Sequence, residues 1–178
     1  MSIRFSATLC RAVRSERHRC CCFLLLPKAA SARLHSRGMV GIDGTLDGVP
    51  FTAVVQPDGR NGHWLKVGEA LRRRAGVAVG DRVTLEIGPA RREPEPRIPA
   101  DLKAALQASA ETVAIWSSLT TLARRDWVQW LDGARKEDTR QRRISRLCDV
   151  LASGKRRVCC FDRSGVYSGE FRAPVAKT

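Results

Sequence analysis

Apolar residues recur with two different periods along this chain, and the period changes near residue 90. In the first half, apolar and polar positions alternate, as at Val83, Leu85 and Ile87, which is the period of a β-strand with one buried face. In the second half, apolar residues return every three or four positions, as at Trp127 and Leu131, which is the period of an amphipathic helix. The pattern therefore predicts an α+β protein in which strands precede helices.

The first half contains a series of short predicted strands joined by turns. Asp47-Gly48 separates two of them and is typical of a two-residue hairpin turn. Gly80-Asp81 predicts a tight turn before the last strand. The predicted strands are Ile3–Leu9, Cys20–Leu26, Val40–Leu46, Phe51–Gln56, Trp64–Val67 and Arg82–Ile87.

Two parts of this half share one order of elements: a strand, a short helix, a glycine turn and a second strand. The helix and last strand lie at Pro27–Leu34 and Met39–Leu46 in the first copy, and at Val67–Arg74 and Arg82–Ile87 in the second. The order resembles the swapped-hairpin half of AbrB-like transcription factors, in which two copies form one double-split barrel. A duplicated chain can close such a barrel alone and leave no exposed edge, so we expect a double-split β-barrel and a monomer.

A boundary follows the last predicted strand. Residues 89–98 are rich in proline and charge, which indicates a linker. Residues 99–154 carry helical stripes and predict a small α-helical bundle. Residues 155–178 are basic and poorly periodic, which predicts a loose tail.

The segment Trp130–Ile144 resembles the signature of the bacterial YdeI/OmpD-associated family, W-[IV]-x-x-A-[KR]-x-x-[ED]-T-R-x-x-R-I. The matching residues are Trp130, Leu131, Ala134, Arg135, Asp138, Thr139, Arg140, Arg143 and Ile144. Leu131 stands where the family has Ile or Val, and Asp138 where it usually has Glu. The family name implies a link to bacteriocin protection or envelope stress, and the resemblance implies no established biochemical activity.

Many members of that family carry in front a small β-barrel domain of the DUF1905 type, and this chain resembles that domain as well. The resemblance rests on Gly44–Phe51, Gly62–Leu65 and Gly80–Val83, in this order. It implies a DUF1905-like β-barrel domain over residues 1–88, in front of a YdeI-like helical domain over residues 99–154.

Residues 1–38 permit two interpretations. Arg14–Arg19, the apolar run Cys20–Leu26 and Ala30-Ser31-Ala32 imitate the charged, apolar and cleavage regions of a secretory targeting peptide, and a mitochondrial transit peptide is also open. Against both, Ile3–Leu9 alternates with the period of a strand, and the apolar run is too short to span a bilayer. We favour the strands, because the resembled barrel begins with such a pair.

The net charge of +14 favours polyanionic partners. Nucleic acid is the leading ligand class, and an acidic protein or an anionic membrane surface is the alternative. An arginine-rich composition inherited from a GC-rich genome would explain the charge without any partner. Arginine binds phosphate bidentately, so clustered arginines are the candidate contact residues. They are Arg72, Arg73, Arg74, Arg124, Arg125, Arg140, Arg142, Arg143 and Arg146.

Two of these arginines have a second interpretation. Arg140 and Arg143 lie on the family signature and can lock the corner between the last two helices through Asp132, Glu137 or Asp138. The sequence leaves the structural and the ligand-binding roles open.

A weaker candidate ligand loop lies in the predicted barrel. Arg60, His63 and Trp64 surround a glycine turn, and a tryptophan beside a histidine can stack on a base or another ligand. Alternatively, Arg60 is an ordinary polar loop residue and Trp64 enters its strand as a core residue.

No catalytic or metal-binding motif is present in the sequence. The three histidines lack the spacing of a zinc site, and neither a nucleophile elbow nor a phosphate loop occurs. The seven cysteines include adjacent runs and no C-x-x-C pair, which indicates thiols in a reducing compartment. We therefore expect a non-enzymatic cytoplasmic protein without a metal or cofactor, with Cys159 and Cys160 as its exposed thiols.

Overall fold

The computed structural model describes residues 2–13, 22–159 and 161–177. The chain divides into two compact units, which we call the barrel unit (Met1–Pro94 with Asp162–Thr178) and the helical unit (Glu95–Phe161). The predicted α+β class, with strands before helices, is confirmed. The predictions that concern Arg14–Cys21 and Cys160 lie outside the described residues.

Within the described residues, the barrel unit contains one seven-stranded antiparallel sheet. Its strands are β1 (Ile3–Thr8), β2 (Cys10–Arg11), β3 (Cys22–Leu25), β4 (Val40–Leu46), β5 (Val49–Pro57), β6 (His63–Val67) and β7 (Arg82–Pro89). The strand order is β1-β7-β4-β5-β6-β3-β2. Two short helices, α1 (Lys28–Ala32) and α2 (Glu69–Ala75), connect β3 to β4 and β6 to β7.

Leu9 brings the two ends of this sheet together. β1 and β2 are the first and last strands of the order, yet Leu9 alone separates them in the chain, so the sheet must curl until its ends meet. The Leu9 side chain is fully buried, its N–H donates to Asp81 O at 2.9 Å, and Gly80 N–H donates to Leu9 O at 2.8 Å. The sheet is therefore barrel-like and nearly closed, as predicted for this half of the chain, although the sequence did not predict β2.

The alternating positions of the strands face one core. Val83, Leu85 and Ile87 of β7 are all buried, and so are Ile42 and Leu46 of the neighbouring strand β4. Successive side chains of a strand point to opposite faces, so β7 buries every second residue, whereas β3 and β6 bury consecutive residues because both of their faces are covered. Removal of this apolar surface from water, at about 25 cal/mol per Å², is the main favourable term in the stability of such a unit.

The pairing of strands follows the repeat seen in the sequence. The segments β3-α1-β4 and β6-α2-β7 have the same order of elements. β3 pairs antiparallel with β6, and β4 pairs antiparallel with β7. Each strand of one copy thus pairs with its counterpart in the other, as two copies related by a two-fold axis would do.

The helical unit consists of α3 (Ala100–Gln107), α4 (Ala110–Ser118), α5 (Thr121–Asp132) and α6 (Glu137–Ala152). Ser109 and Thr120 cap α4 and α5, because their side-chain oxygens accept hydrogen bonds from backbone N–H groups in the first turn. The apolar stripes form one core, which includes Leu102, Leu106, Trp116, Leu119, Trp127, Leu131, Ile144, Leu147 and Leu151. None of the helices in the described part of the chain has the length and hydrophobicity that a bilayer-spanning segment needs.

The last residues return to the barrel unit, which differs from the loose tail that the sequence predicts. Val13 N–H donates to Val175 O at 2.8 Å, Lys177 N–H donates to Arg11 O at 2.7 Å, and the two segments form an antiparallel bridge. β2 ends the sheet, so its outer backbone groups need partners. The terminal residues supply those partners and continue the sheet beyond β2.

Candidate functional site

Arg140 holds the corner between α5 and α6. Its Nη2 donates to Asp101 Oδ1 at 3.1 Å, and its Nε donates to the other oxygen of that carboxylate. Its Nη1 donates to Asp132 Oδ1 at 3.1 Å and to Leu131 O at 3.2 Å. The hydrogen bonds from Arg140 hold the pKa of Asp101 below its usual value. All three guanidinium nitrogens are therefore occupied by groups of the helical unit.

Arg143 and Arg124 are also engaged within the helical unit. Arg143 donates to Trp130 O, and its guanidinium lies 5.0 Å from the centroid of the Trp130 ring, which is a cation–π contact. Arg124 donates to the Glu95 carboxylate at 2.7 and 3.2 Å and to the carbonyl at the end of α4 at 2.6 Å. Arg125 is 5% exposed. These three side chains contribute to the packing of the unit.

Two other predicted contact residues of α6 point to solvent. Arg142 and Arg146 are exposed, and their spacing of four residues places them on the same helix face. Arg142 Nε donates to Asp138 O on its own helix at 3.2 Å. Of the arginines predicted around this corner, these two keep the exposure that an external anion requires.

The three consecutive arginines of α2 have different environments; they are Arg72, Arg73 and Arg74. Arg73 pairs with Glu69 one turn earlier on the helix. Arg72 is half-buried, and its Nε is covered without a hydrogen-bond partner in the described part of the chain. Arg74 is exposed and donates from Nη2 to Pro50 O on β5 at 3.0 Å. The three arginines therefore do not form one continuous cationic surface.

Arg74 lines an open groove on the barrel unit, which we call the basic groove. Its volume is about 500 Å³. Arg91, from the segment just after β7, lines the same groove and was not predicted from the sequence. Neither Arg74 nor Arg91 forms an ion pair with any side chain among the described residues. The other lining residues are Asp43, Gly44, Pro50, Phe51 and Thr52.

Asp43 fixes the geometry of the basic groove. Thr52 Oγ1 donates to its Oδ1 at 2.6 Å, and Arg91 N–H donates to its Oδ2 at 2.8 Å. The backbone hydrogen bond from Arg91, followed by that from Thr52, lowers the pKa of Asp43. Its carboxylate therefore stays ionised and holds the backbone of Arg91 beside β4. The Arg74 guanidinium group keeps N–H groups beyond the one that donates to Pro50 O.

The predicted ligand loop is divided between the surface and the interior. Arg60 is exposed, whereas His63 is 2% and Trp64 is 3% exposed. Trp64 packs edge-on against Phe23, with 6.3 Å between the ring centroids. Trp64 is therefore a core residue, because β6 directs its ring away from solvent. The interpretation that Trp64 stacks on a base or another ligand was wrong.

His63 is buried and links the turn at residues 58–62 to Ser31 and Gly38 by hydrogen bonds. Its Nε2 lies 3.0 Å from Gly38 O, and its backbone N–H donates to Ser31 Oγ at 3.1 Å. Its Nδ1 is buried without a hydrogen-bond partner among the described residues. Burial lowers the pKa of the imidazole, so the neutral form with the proton on Nε2 is favoured. This histidine supports the fold of the turn and does not face a groove.

The described residues show no group of three or more His, Cys, Asp or Glu side chains that could hold a metal ion. Four of the cysteines are not in disulfide bonds, namely Cys10, Cys22, Cys148 and Cys159. Burial raises the pKa of Cys148, which lies on α6, and Cys159 is exposed.

Two family models match the chain. The model described as Domain of unknown function (DUF1905) matches residues 5–87, and the model described as Bacteriocin-protection, YdeI or OmpD-Associated matches residues 95–154. The chain therefore matches a DUF1905 domain followed by a YdeI/OmpD-associated domain. A comparison with curated proteins found no match.

The signature of the YdeI/OmpD-associated domain describes a folded corner. Leu131 and Ile144 are buried in its core. Arg140 ties α6 to two carboxylates, and Arg143 covers the ring of Trp130. Of the two roles that the sequence leaves open for Arg140 and Arg143, these contacts support the structural one.

The DUF1905 match includes every lining residue of the basic groove except Arg91, and one part of this groove could be predicted from the sequence. The Asp47-Gly48 turn fixes a register in which Asp43 faces Thr52 across the hairpin. The pairing of Asp43 with Thr52 across this turn is a signal in the sequence for one edge of the groove. The position of Arg91 beside Asp43 has no such local signal, because it depends on the pairing of β4 with β7.

Proposed function

We propose that this protein is a non-enzymatic binding protein that acts in bacteriocin protection and contacts an acidic protein partner through the basic groove. The observation behind the proposal is that Arg74 and Arg91, from separate elements, line one groove whose own carboxylate is already hydrogen-bonded. The match to the bacteriocin-protection family supports the protective role.

An acidic side chain has the chemistry that this groove favours. A guanidinium group can donate two parallel hydrogen bonds to one carboxylate. Half-buried Phe51 lines the same groove and offers apolar surface to the methylene groups of a glutamate. Exposed ion pairs contribute about 0.2–1 kcal/mol each, so the two arginines would select for charge while a wider contact surface supplies the affinity.

Nucleic acid and a membrane surface fit these contacts less well. Tight binding to DNA uses about 6–10 phosphate contacts, whereas Arg124, Arg140 and Arg143 are engaged in internal contacts. Insertion into a membrane surface needs a helix with a broad exposed apolar face. The apolar stripes of the helical unit instead face its own core.

We also infer the finer architecture of the two units. The sheet has the double-split arrangement of AbrB-like proteins, which the pairing of β3 with β6 and of β4 with β7 supports. The four helices form a small bundle, which the single core shared by their apolar stripes supports.

The test measures the affinity of the full chain for a labelled octapeptide of alternating glutamate and leucine, and for mixed DNA and RNA across a salt series. Arg74→Ala and Arg91→Ala should each weaken peptide binding about two- to fivefold. Arg142→Ala is the matched control, because it removes the same charge from an exposed site in the other unit, and it should leave peptide affinity unchanged.

Two outcomes would overturn the proposal. If Arg142→Ala weakens peptide binding as much as Arg74→Ala does, the peptide is attracted by net charge and not by the groove. If DNA or RNA binds more tightly than the peptide, with a steep salt dependence that Arg142→Ala and Arg146→Ala reduce, nucleic-acid binding replaces the proposed function.

A further inference from the structure

A second concavity in the barrel unit lies between the turn at residues 58–62 and the C-terminal segment, and we call it the terminal cavity. Its volume is about 490 Å³. Sites for small molecules typically have volumes of about 300–1,000 Å³. The cavity shares no lining residue with the basic groove. It is therefore a separate candidate site of a size suited to a small ligand.

One wall of the terminal cavity is a turn organised by Asp58. Its Oδ1 accepts hydrogen bonds from Arg60 N–H at 2.7 Å and Gly62 N–H at 2.8 Å. Asp58 N–H in turn donates to Gly62 O at 3.0 Å. These bonds fix the backbone that carries the Arg60 side chain.

A second part of the cavity wall comes from a loop organised by Asp162, which includes the lining residues Gly165 and Val166. Its Oδ1 accepts from the Ser164 hydroxyl at 2.7 Å and from two backbone N–H groups, and its Oδ2 accepts from Tyr167 N–H and Ser168 N–H at 2.9 Å each. Burial alone would raise the pKa of Asp162, but the hydrogen bonds from Ser164, Ser168 and Tyr167 outweigh it and lower that pKa to about 2. Both oxygens of this carboxylate therefore accept hydrogen bonds from its own loop and stabilise the loop conformation.

Close backbone approaches join the two walls. Gly59 has a φ of +73°, and a Cβ at this position would lie 2.3 Å from Phe171 O. Gly165 has a φ of +71°, and a Cβ there would lie 2.8 Å from Phe171 Cβ. Ala173 N–H also donates to Asp58 O at 3.4 Å. The cavity is consequently formed before any ligand binds, which lowers the ordering cost of binding.

The lining of the terminal cavity combines two cations with apolar surface. Arg60 and Arg172 both line it, and in the described part of the chain neither guanidinium group forms an ion pair or hydrogen bond. Leu25 is 50% exposed and Val175 is 72% exposed, and half-buried Val166 also lines the cavity. The carboxylate of Asp58 also lines the cavity, with its Oδ1 occupied by two N–H groups.

We propose that the terminal cavity binds a small amphiphilic organic anion. Its carboxylate or phosphate group pairs with Arg60 and Arg172, and its apolar body covers Leu25, Val166 and Val175. The pairing satisfies two cations that have no internal partner, and the apolar contact removes exposed leucine and valine surface from water.

Isothermal titration calorimetry of the full chain with octanoate and with octyl phosphate tests this site, and 1-octanol serves as the uncharged probe. Both anions should bind, and octanol should bind at least about tenfold more weakly than octanoate, because it cannot pair with the arginines. Arg60→Ala and Arg172→Ala should each weaken anion binding about two- to fivefold. Val175→Asp should abolish it by placing a negative charge where the apolar body lies.

Arg92→Ala is the matched control, because it removes an exposed arginine of the same unit that lies outside the cavity lining, and octanoate binding should not change. Equal octanoate affinity of Arg172→Ala and the unaltered chain would overturn the proposal, as would equal affinity for octanol. Vesicles of phosphatidylglycerol separate the possible sources of the anion. Vesicle binding without octanoate binding would assign the cavity to a lipid surface and refute a soluble ligand.

Discussion

Replacement of Arg140 by alanine should destabilise the helical unit by about 2–3 kcal/mol. The substitution removes the hydrogen bonds to Asp101, Asp132 and Leu131 O. The Asp132 side chain is 56% exposed, so solvent screening limits its share to about 0.5 kcal/mol. The Asp101 side chain is only 33% exposed and makes two hydrogen bonds with Arg140, so this pair contributes most of the loss.

Urea unfolding followed by tryptophan fluorescence measures the stability of the helical unit. Trp116, Trp127 and Trp130 lie in the helical unit, and Trp64 lies in the barrel unit. With a slope of about 2 kcal/mol per M, the expected loss lowers the urea midpoint by about 1 M or more. Arg142→Ala is the matched control on the same helix and should change stability by less than about 0.5 kcal/mol. If the two variants have equal midpoints, Arg140 does not hold the corner.

The effect of Arg140→Ala should also depend on pH with a defined sign. The hydrogen bonds from Arg140 lower the folded-state pKa of Asp101 below its ordinary value of 3.8. Asp101 therefore contributes its full stabilisation above about pH 4, and the contribution is lost as the pH falls through the folded-state pKa. The difference in free energy of unfolding between the unaltered chain and Arg140→Ala should be constant from about pH 5 to 8, and it should become smaller below about pH 4. A difference that narrows between pH 8 and 6 would refute the assignment to Asp101.

Two further predictions concern the barrel unit. Because burial lowers the pKa of His63, the unfolded chain takes up a proton that the folded unit excludes, so the stability of the unit should fall as the pH drops below about 6.5. Hydrogen exchange of the barrel amides should show this fall, and His63→Gln should remove it; an unchanged pH dependence would contradict the prediction. Gly44→Ala should cost about 2 kcal/mol or more, because the new Cβ would lie 2.3 Å from Glu86 O on the paired strand. Gly68→Ala meets no atom within 4 Å, so its melting temperature should stay close to that of the unaltered protein, and equal melting temperatures of both variants would argue against the register of β4 and β7.

Elements with local determinants could be predicted from the sequence. Asp47 and Gly48 adopt φ values of 45° and 82°, as a primed two-residue hairpin turn requires, and the dipeptide itself indicates this turn. The stripe of Trp127 and Leu131 likewise follows from helical spacing, and both side chains are buried.

Features that depend on distant partners could not be predicted. β2 has two residues and no periodic signal, and the terminal segment pairs with it only because the sheet ends there. Arg140 and Arg142 lie two positions apart on one helix, yet the first is bound by two carboxylates and the second is exposed. Their difference arises from Asp101 and Asp132, whose positions depend on the packing of three helices. For the same reason, Arg91 and Arg172 gave no local sign of the cavities that they line.

The return of the chain terminus to β2 affects the order in which the protein can fold during synthesis. β1 must wait for β7 to leave the ribosome, and the outer edge of β2 stays open until residues 175–177 emerge. At about 5–20 residues per second, the stretch between β7 and the terminus takes on the order of ten seconds to translate. The helical unit is made entirely within this interval and depends on local contacts, so it can fold before residues 175–177 pair with the segment at β2. The nascent barrel meanwhile presents an unpaired strand edge, which is the part of the sheet most prone to aggregation until residues 175–177 cover it.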